Sequence, residues 1–223
     1  MSRNLNNIFI IGDVHGCYYT LLKLVKKLPD NAELVFLGDL CDKGKHSQQV
    51  IEFVMVNDYQ CVKGNHEYFY EKNMINAMEK NISSIWSKEK KYGGPQCIES
   101  YNGDFKTMHR HLHWIKELPL YLQIGKYFIT HGFALEYFDK KDNKLYSKKL
   151  FSNRCYENTI EPDVDPDIVN IFGHCCFENV KIGKKYICID TGCYQNGRLT
   201  ALSLGTHKLY SEEMDIRDAS FHY

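Results

Sequence analysis

The 223-residue chain is long enough to bury a substantial core as one domain, and 43% of its residues are hydrophobic. Its 28 basic residues equal its 28 acidic residues, so no global field draws it to nucleic acid or to an anionic membrane. Near the N-terminus only the four residues Ile8–Ile11 form an apolar run, too few for a signal-peptide core or a membrane span. We therefore expect a cytoplasmic protein.

The cysteine pattern gives no sign of a disulfide framework or a structural zinc site. The chain has nine cysteines, an odd number, and they are scattered without a CxxC pair. Small apolar thiols are common in protein interiors, so we expect most of these cysteines to be reduced and buried.

The first third of the chain alternates short apolar runs with helical patterns. Each run ends in a polar loop that contains glycine, which is typical of buried strands. The predicted strands are Ile8–Ile11, Leu34–Leu37 and Tyr59–Val62. Apolar residues at helical spacing predict helices between them at Tyr18–Leu28 and Ser47–Val56. This β-α-β-α-β order predicts parallel strands joined by crossover helices.

The rest of the chain predicts a helical insert followed by more strands. Residues 67–118 are polar and helical, and we interpret them as an insert within a single domain that spans residues 1–223. Strands are predicted again at residues 127–130, 168–172, 186–189 and 199–204. The Asn196-Gly197 step predicts a tight hairpin between the last two strands. The predicted fold class is therefore α/β, or α+β in some schemes, with mixed β-sheets flanked by helices.

Five of the predicted strands are followed at once by a loop that carries a carboxylate, an amide or an imidazole. These loop residues are Asp13, His15, Asp39, Asn65, His66, His131 and His174. Any one such residue after one strand is more often a turn residue or an ordinary histidine, but five such loops in one chain favour a shared site. Ligands of α/β proteins bind beyond the carboxyl ends of the strands, so we expect these side chains to converge there.

The donor types predict a pair of divalent metal ions. Imidazole, carboxylate and amide groups without a thiolate suit manganese, iron or zinc, with manganese preferred. If Asp39 bridges two ions about 4 Å apart, the ions are close enough to share a nucleophilic hydroxide. The predicted ligands are Asp13, His15, Asp39, Asn65, His131 and His174.

Three motifs in order, GDVHG at 12–16, GDLCDKG at 38–44 and GNHE at 64–67, resemble the phosphoprotein phosphatase branch of the metallophosphoesterases. The likeness runs from about residue 8 to residue 205 and is strongest to the small bacterial and phage enzymes typified by bacteriophage lambda protein phosphatase. Diadenosine tetraphosphatases are near relatives of that group. The resemblance implies a sandwich of mixed sheets with a dinuclear metal site at the carboxyl ends of the strands.

The resemblance also implies how the ligands divide. The first metal would be held by Asp13, His15 and Asp39, and the second by Asp39, Asn65, His131 and His174. His66 would be the general acid and Asp42 would orient it. Lys43 and Arg154 would hold the phosphate oxygens. The family has an arginine where this chain has Lys43, and a lysine cannot form the two-pronged contact of a guanidinium.

Other features are given structural interpretations. His109–His113 lies in a helical segment, where alternate histidines fan around the axis, so we interpret it as a solvated helix face. Glu67 is expected to favour the positive end of the helix that follows GNHE. Asp190 is expected to be a turn residue close to the site, and the alternative is a contact with His174.

Three functions fit the sequence. The first is a metal-dependent phosphatase acting on phosphoserine or phosphothreonine, and on phosphotyrosine as a further option, and the acid Asp42 favours it. The second is a hydrolase of diadenosine tetraphosphate or another nucleotide polyphosphate. The third is a metal-dependent binding module without activity. The expected partners are thus a phosphorylated protein or a small phosphoester, with no membrane or nucleic acid, and the oligomeric state is open.

Overall fold

The computed structural model describes residues 4–79, 84–165 and 167–220, which form two five-stranded sheets packed face to face with helices outside. Within these ranges no helix is long and apolar enough to cross a lipid bilayer. All nine cysteines carry free thiols, and eight of them are buried, in agreement with the sequence. The architecture confirms the predicted α/β class with two mixed sheets.

The first sheet holds the predicted parallel core. Its strand order is β10-β9-β1-β2-β3, with β1 parallel to β2 and β2 parallel to β3. The strands are β1 (Ile8–Ile11), β2 (Glu33–Phe36), β3 (Gln60–Cys61), β9 (Arg198–Ser203) and β10 (Leu209–Glu213). The antiparallel pairs β1–β9 and β9–β10 complete the sheet.

The second sheet is also mixed, in the order β4-β5-β6-β8-β7. Its strands are β4 (Tyr121–Ile124), β5 (Tyr127–Thr130), β6 (Val169–Phe172), β7 (Lys181–Ile182) and β8 (Tyr186–Cys188). The central strands β5, β6 and β8 run parallel, and antiparallel edge strands flank them.

The helices lie mainly against the first sheet. They are α1 (Tyr18–Val25), α2 (Ser47–Val56), α3 (Asn65–Met78), α4 (Ile85–Lys88), α5 (Gly94–Ser100), α6 (Phe105–Glu117), α7 (Lys149–Ser152) and α8 (Cys193–Asn196). Four of them, α3 to α6, occupy the stretch predicted to be helical, of which residues 80–83 lie outside the described residues. That this stretch is a discrete insert within one domain stays a prediction.

Strand side chains alternate between two cores. Ile8 and Ile10 point between the sheets and meet Ile129 and Ile171, whereas Phe9 points toward the helices of the first sheet. Because both faces of β1 are covered, every one of its residues is buried, and the strand reads as a continuous apolar run. The loops after the buried strands are therefore anchored on both sides at the point where the site begins.

The predicted hairpin at Asn196-Gly197 is wrong. The strand before it, β8, belongs to the second sheet, whereas the strand after it, β9, pairs with β1 and β10 in the first. Asn196 ends the short helix α8 and Gly197 takes a left-handed φ of 77° as its C-cap. The same dipeptide signal therefore marks a crossing between sheets.

The solvated interpretation of the histidine run holds for part of it. His109 and His113 are exposed, but His111 is fully buried. Its Nδ1 lies 2.7 Å from the Tyr101 hydroxyl and its Nε2 lies 2.7 Å from Glu52 Oε2. The inward-facing histidine of α6 thus belongs to an interior polar network.

Candidate metal centre and active site

The loops that follow β1, β2, β3, β5 and β6 meet around one cleft of about 270 Å³. Its lining includes most of the predicted site residues: Asp13, His15, Asp39, Lys43, Asn65, His66, Arg154 and His174. His131 lies behind them, fully buried, with its Nε2 2.9 Å from Asn65 Oδ1. Asp42 is also fully buried, beside His66. The structure therefore brings together every residue that the sequence predicts for the site.

Asp39 stands at the centre of this cluster. Its Oδ2 lies 3.5 Å from His15 Nε2, and its Oδ1 lies 3.3 Å from His131 Nε2. Among the described residues, two of the three groups of side chains that could each hold a metal ion share Asp39, namely His15, Asp39 and His66, and Asp39, His131 and His174; the third is Cys41, Asp42 and Cys97. Because Asp39 belongs to the first two groups and turns one oxygen to each, it has the placement that a bridging ligand needs.

The donor set and its charges fit divalent cations. Asp13 is buried, its Oδ2 accepts the backbone N–H of His174 at 3.0 Å, and its Oδ1 has no hydrogen-bond partner among the described residues. Burial raises the pKa of Asp13 well above its usual range, and the charges of Asp190 and Asp39 raise it further. A buried carboxylate oxygen without a partner is costly, and a bound cation would satisfy it.

For His131, burial lowers the pKa, but the charge and hydrogen bond of Asp39 outweigh it and raise the pKa. In the other two candidate imidazole ligands, burial is the dominant effect. It lowers the pKa of His15 to about 4 and that of His174 to about 3. At neutral pH these nitrogens therefore carry lone pairs for a metal instead of protons.

Backbone contacts aim two of the imidazoles inward. His15 Nδ1 lies 2.9 Å from the Cys41 carbonyl oxygen, and His131 Nδ1 lies 2.7 Å from the Leu37 carbonyl oxygen. A ring N–H at Nδ1 that donates to a carbonyl leaves Nε2 as the free ligand atom. In both histidines Nε2 faces Asp39.

Backbone strain is concentrated at the site. Among the described residues, eight non-glycine residues have a positive φ, and five of them are predicted site residues, namely His15, Asp39, Asp42, Lys43 and His174. Such conformations cost free energy and persist only where the surroundings enforce them, typically at functional sites. The strain therefore agrees with the convergence of side chains on this cleft.

His66 and Asp42 form a hydrogen-bonded pair, with His66 Nδ1 2.6 Å from Asp42 Oδ2. Burial lowers the pKa of His66, but the charges of Asp39 and Asp42 outweigh it and raise the pKa to about 9. His66 thus carries a proton at neutral pH. Its Nε2 lies 3.9 Å from Asp39 Oδ2, on the side of the metal-ligand cluster. A proton donor beside a set of candidate metal ligands is an arrangement that suits general acid catalysis.

The two cations of the cleft differ in setting. Lys43 is partly buried, and its ammonium group donates to the Lys91 carbonyl oxygen and lies 6.0 Å from the centroid of the Tyr194 ring. Arg154 is exposed, with its Nη1 3.5 Å from the His174 carbonyl oxygen. Both can reach an anion in the cleft, but Lys43 would first have to exchange its contact with the backbone.

Glu67 has a larger role than the sequence indicated. It is fully buried, its Oε2 accepts the backbone N–H groups of Asp39 at 2.7 Å and Gly64 at 2.9 Å, and its Oε1 accepts that of Leu40 at 2.8 Å. It therefore ties the loop after β2 to the loop after β3. In the sequence, only its position one residue after His66 places Glu67 near the site. Its three backbone partners depend on the fold.

Asp190 lies deeper in the site than a simple turn residue. Its Oδ1 accepts the Gly192 N–H at 2.9 Å, as expected of a turn, while its carboxyl group lies beside Asp13 in the lining of the cleft. Burial raises the pKa of Asp190 to about 6, and the charge of Asp39 contributes to this. The loop after β8 thus adds a further acidic group to the cluster.

Sequence comparisons identify related proteins over most of the chain. A family model described as calcineurin-like phosphoesterase matches residues 7–197. The asymmetrical bis(5'-nucleosyl)-tetraphosphatase PrpE of Geobacillus sp. strain WCH70 is 29% identical over 224 residues, which cover 87% of this chain and 89% of that protein. A symmetrical bis(5'-nucleosyl)-tetraphosphatase of Buchnera aphidicola is 27% identical over 157 residues, or 67% of this chain and 52% of that protein.

Two solved structures share the fold. A protein described as a candidate diadenosine tetraphosphatase superposes with a TM-score of 0.67 at 17% identity, over 97% of both chains. A Saccharomyces cerevisiae protein serine/threonine phosphatase with similarity to human phosphatase PP5 superposes with a TM-score of 0.64 at 19% identity, over 97% of this chain and 81% of that chain. At these identities the likeness establishes the fold alone. The narrower resemblance to the bacteriophage lambda enzyme stays a prediction.

Proposed function

This chain belongs to the calcineurin-like phosphoesterase family, and we propose that it is a metal-dependent hydrolase whose substrates are dinucleoside polyphosphates. The observation that carries the substrate class is the likeness to bis(5'-nucleosyl)-tetraphosphatases, of which the PrpE relative is matched across nearly the full length of both chains. That likeness favours a nucleotide polyphosphate over a phosphoprotein as the substrate.

The proposed ligands are the six residues that converge around Asp39. Asp13, His15 and Asp39 would hold one divalent ion, and Asp39, Asn65, His131 and His174 the other, with manganese, iron or zinc suited to these donors. When bound, such ions would supply a water activated for attack near neutral pH and would neutralise charge on the phosphoryl oxygens.

The side chains would then divide the remaining work. His66, oriented by Asp42, gives its Nε2 proton to the oxygen that leaves, so that the departing phosphate or alcohol does not carry off an extra negative charge. Lys43 and Arg154, which both line the cleft, would hold phosphate oxygens. Several linked phosphates carry several charges, and two cations beside a metal centre suit such a chain.

A phosphoprotein substrate is the second candidate, and one observation favours it. Asp42 retains a carboxylate bonded to the general acid, and the sequence resemblance associates that carboxylate with the phosphoprotein branch. Both candidates use the same centre, so the substrate alone distinguishes them.

The test is a parallel assay of the manganese-loaded chain on diadenosine tetraphosphate and on phosphoserine peptides, with products separated by ion exchange. We expect a higher kcat/KM on the dinucleotide. Its products, two ADP or ATP plus AMP, show which phosphate bond is cut. The matched control is Asp39→Asn, which should be inactive on both. Phosphate release from the peptides with no cleavage of the dinucleotide would overturn the proposed substrate class.

A further inference from the structure

Trp86, on the short helix α4, makes a direct hydrogen bond to the residue that orients the general acid. Its indole N–H donates to Asp42 Oδ2 at 2.7 Å, and Trp86 is only 5% exposed. His66 Nδ1 contacts the same oxygen at 2.6 Å. Two ring N–H groups, from residues that lie 20 positions apart in the sequence, thus converge on one carboxylate oxygen.

The other carboxylate oxygen, Oδ1, does not help to fix the orientation of Asp42. Asp42 is fully buried, and its Oδ1 has no hydrogen-bond partner among the described residues. The Asp42 backbone N–H is fixed separately, by donation to the Ser47 hydroxyl at 2.9 Å. The rotation of the carboxylate about its last bond is therefore set by the two donors at Oδ2, and Trp86 is the donor that takes no part in proton transfer.

We propose that Trp86 is a positioning residue for general acid catalysis, which acts by fixing the Asp42 carboxylate in the orientation that aims His66 at the leaving oxygen. The inference rests on the proposed role of His66 but not on the identity of the natural substrate. Without the indole N–H, the Asp42 carboxylate can rotate about its last side-chain bond. The hydrogen bond that orients the His66 ring is then no longer held in one alignment.

The backbone around Trp86 is fitted to this contact. A Cβ on Gly94 would lie 2.6 Å from the indole Cδ2 of Trp86, and a Cβ on Gly93 would lie 2.7 Å from the Cβ of Asp42. Gly93 also has a φ of 87°, which side chains other than glycine rarely adopt. The glycine pair therefore lets the segment from α4 to α5 approach the indole and Asp42 together.

A merely structural role for Trp86 makes a different prediction. Trp86 also packs in the apolar core of the first sheet, so its loss could lower stability and slow all substrates alike. A positioning role instead affects only the step in which the leaving oxygen is protonated. Substrates with a good leaving group depart without that proton and should be insensitive to Trp86.

The experiment measures kcat and KM of Trp86→Phe on phenyl phosphate, a poor leaving group, and on dinitrophenyl phosphate, a good one. Loss of a hydrogen bond to a charged group predicts a fall in kcat of about 10-fold on phenyl phosphate. On dinitrophenyl phosphate we expect little change, with KM unchanged on both. Trp114→Phe is the matched control, because Trp114 is the second of the two tryptophans and packs on the core away from the cleft.

His66→Asn separates the two ideas. If His66→Asn lowers kcat equally on phenyl phosphate and on dinitrophenyl phosphate, His66 is not the general acid. A second outcome is that His66→Asn lowers kcat mainly on phenyl phosphate, whereas Trp86→Phe lowers kcat equally on both substrates or raises only KM. That outcome overturns the role of Trp86 and leaves the proposed function standing. If Trp86 acts through Asp42, Trp86→Phe should add no further loss in an Asp42→Ala background, and an additive loss would contradict the inference.

A readout without turnover comes from the indole itself. The Trp114→Phe protein has one indole N–H, that of Trp86, and its proton resonance should lie downfield and exchange slowly because it is buried and bonded to a carboxylate. Asp42→Ala should move the resonance upfield and speed its exchange. A resonance that does not respond to the loss of Asp42 would exclude the hydrogen bond in solution.

Discussion

Two flanks of the cleft hold their functional residues in different ways. We define the helical flank as the described residues of 66–117 and the loop flank as residues 131–176. In the helical flank, Glu67 accepts three backbone N–H groups, and Trp86 fixes Asp42, all by buried bonds. In the loop flank, His131 is aimed by Leu37 of the first sheet, and the backbone of His174 is held by Asp13. The two histidines of the loop flank are thus held by residues of the first sheet's loops, outside the flank itself.

This difference indicates a division of labour. The helical flank is held by buried hydrogen bonds, so changes there should affect chemistry or folding. The loop flank contributes two imidazoles and the exposed Arg154, so changes there should affect what the site binds. The predictions below separate the two flanks, beginning with the largest effect.

Matched histidine substitutions test the division most strongly. His66→Asn in the helical flank should lower kcat by about 100-fold to 10,000-fold, the usual range for general acid catalysis, with metal content unchanged. His131→Asn in the loop flank should lower activity by reducing metal content. Kinetics combined with elemental analysis of the same preparations would decide. Loss of metal from the His66 variant would break the comparison.

Glu67→Gln should destabilise the fold and not only the site. An amide cannot accept from both Asp39 and Gly64 at one end and Leu40 at the other without turning its own NH₂ toward a donor. We expect a loss of about 3 kcal/mol in the free energy of unfolding, measured by urea denaturation. Glu117→Gln, at an exposed position of α6, is the control and should change stability by less than about 0.5 kcal/mol. Equal stability of the two variants would contradict the role of Glu67 in holding the loops after β2 and β3 together.

Arg154→Ala should weaken substrate binding with little effect on kcat. Arg154 is exposed and touches the site by one long contact, so it contributes through the phosphate that it holds and not through packing. We expect KM for a phosphoester to rise about 10-fold. Lys149→Ala removes an exposed cation of the same flank that does not line the cleft, and it should leave KM unchanged. A fall in kcat with unchanged KM would place Arg154 in the chemical step instead.

His111 should give the smallest effect, a pH dependence of stability in the helical flank. Burial lowers the pKa of His111 in the fold, although the contact with Glu52 opposes this. The unfolded chain therefore binds more protons as the pH falls below about 6.5, and the fold loses stability there. His111→Asn should flatten the acid side of the stability profile, measured by urea midpoints between about pH 7.5 and 5.5. The exposed His113→Asn should not, and a profile unchanged in both variants would count against the buried network.

The sequence predicts the ligand side of the site better than its support. Asp39 and His131 could be found because each directly follows an apolar run, and strand ends converge in any sheet of this class. Trp86 could not, since its bond to Asp42 spans 44 residues and depends on how α4 packs. The local pattern of residues also does not show which sheet a strand joins, which is why the hairpin predicted at Asn196-Gly197 is wrong and β9 lies beside β1.

The sequence also does not predict the polar contacts of buried side chains. The periodicity of α6 shows that one face is covered, but it does not show that His111 is on that face with two polar partners. In the same way, Glu67 is an ordinary acid in the first turn of a helix until the loops after β2 and β3 are brought to it. Such contacts depend on tertiary packing, which residue spacing does not encode.

Metal content of the purified chain tests the dinuclear centre most directly. After loading with manganese and exhaustive dialysis, elemental analysis should find two ions per chain in the wild type. Asp39→Asn should lower both occupancies together, because Asp39 faces both ligand groups. One ion or none in the wild type, or two ions retained by Asp39→Asn, would contradict a centre that is bridged by this carboxylate.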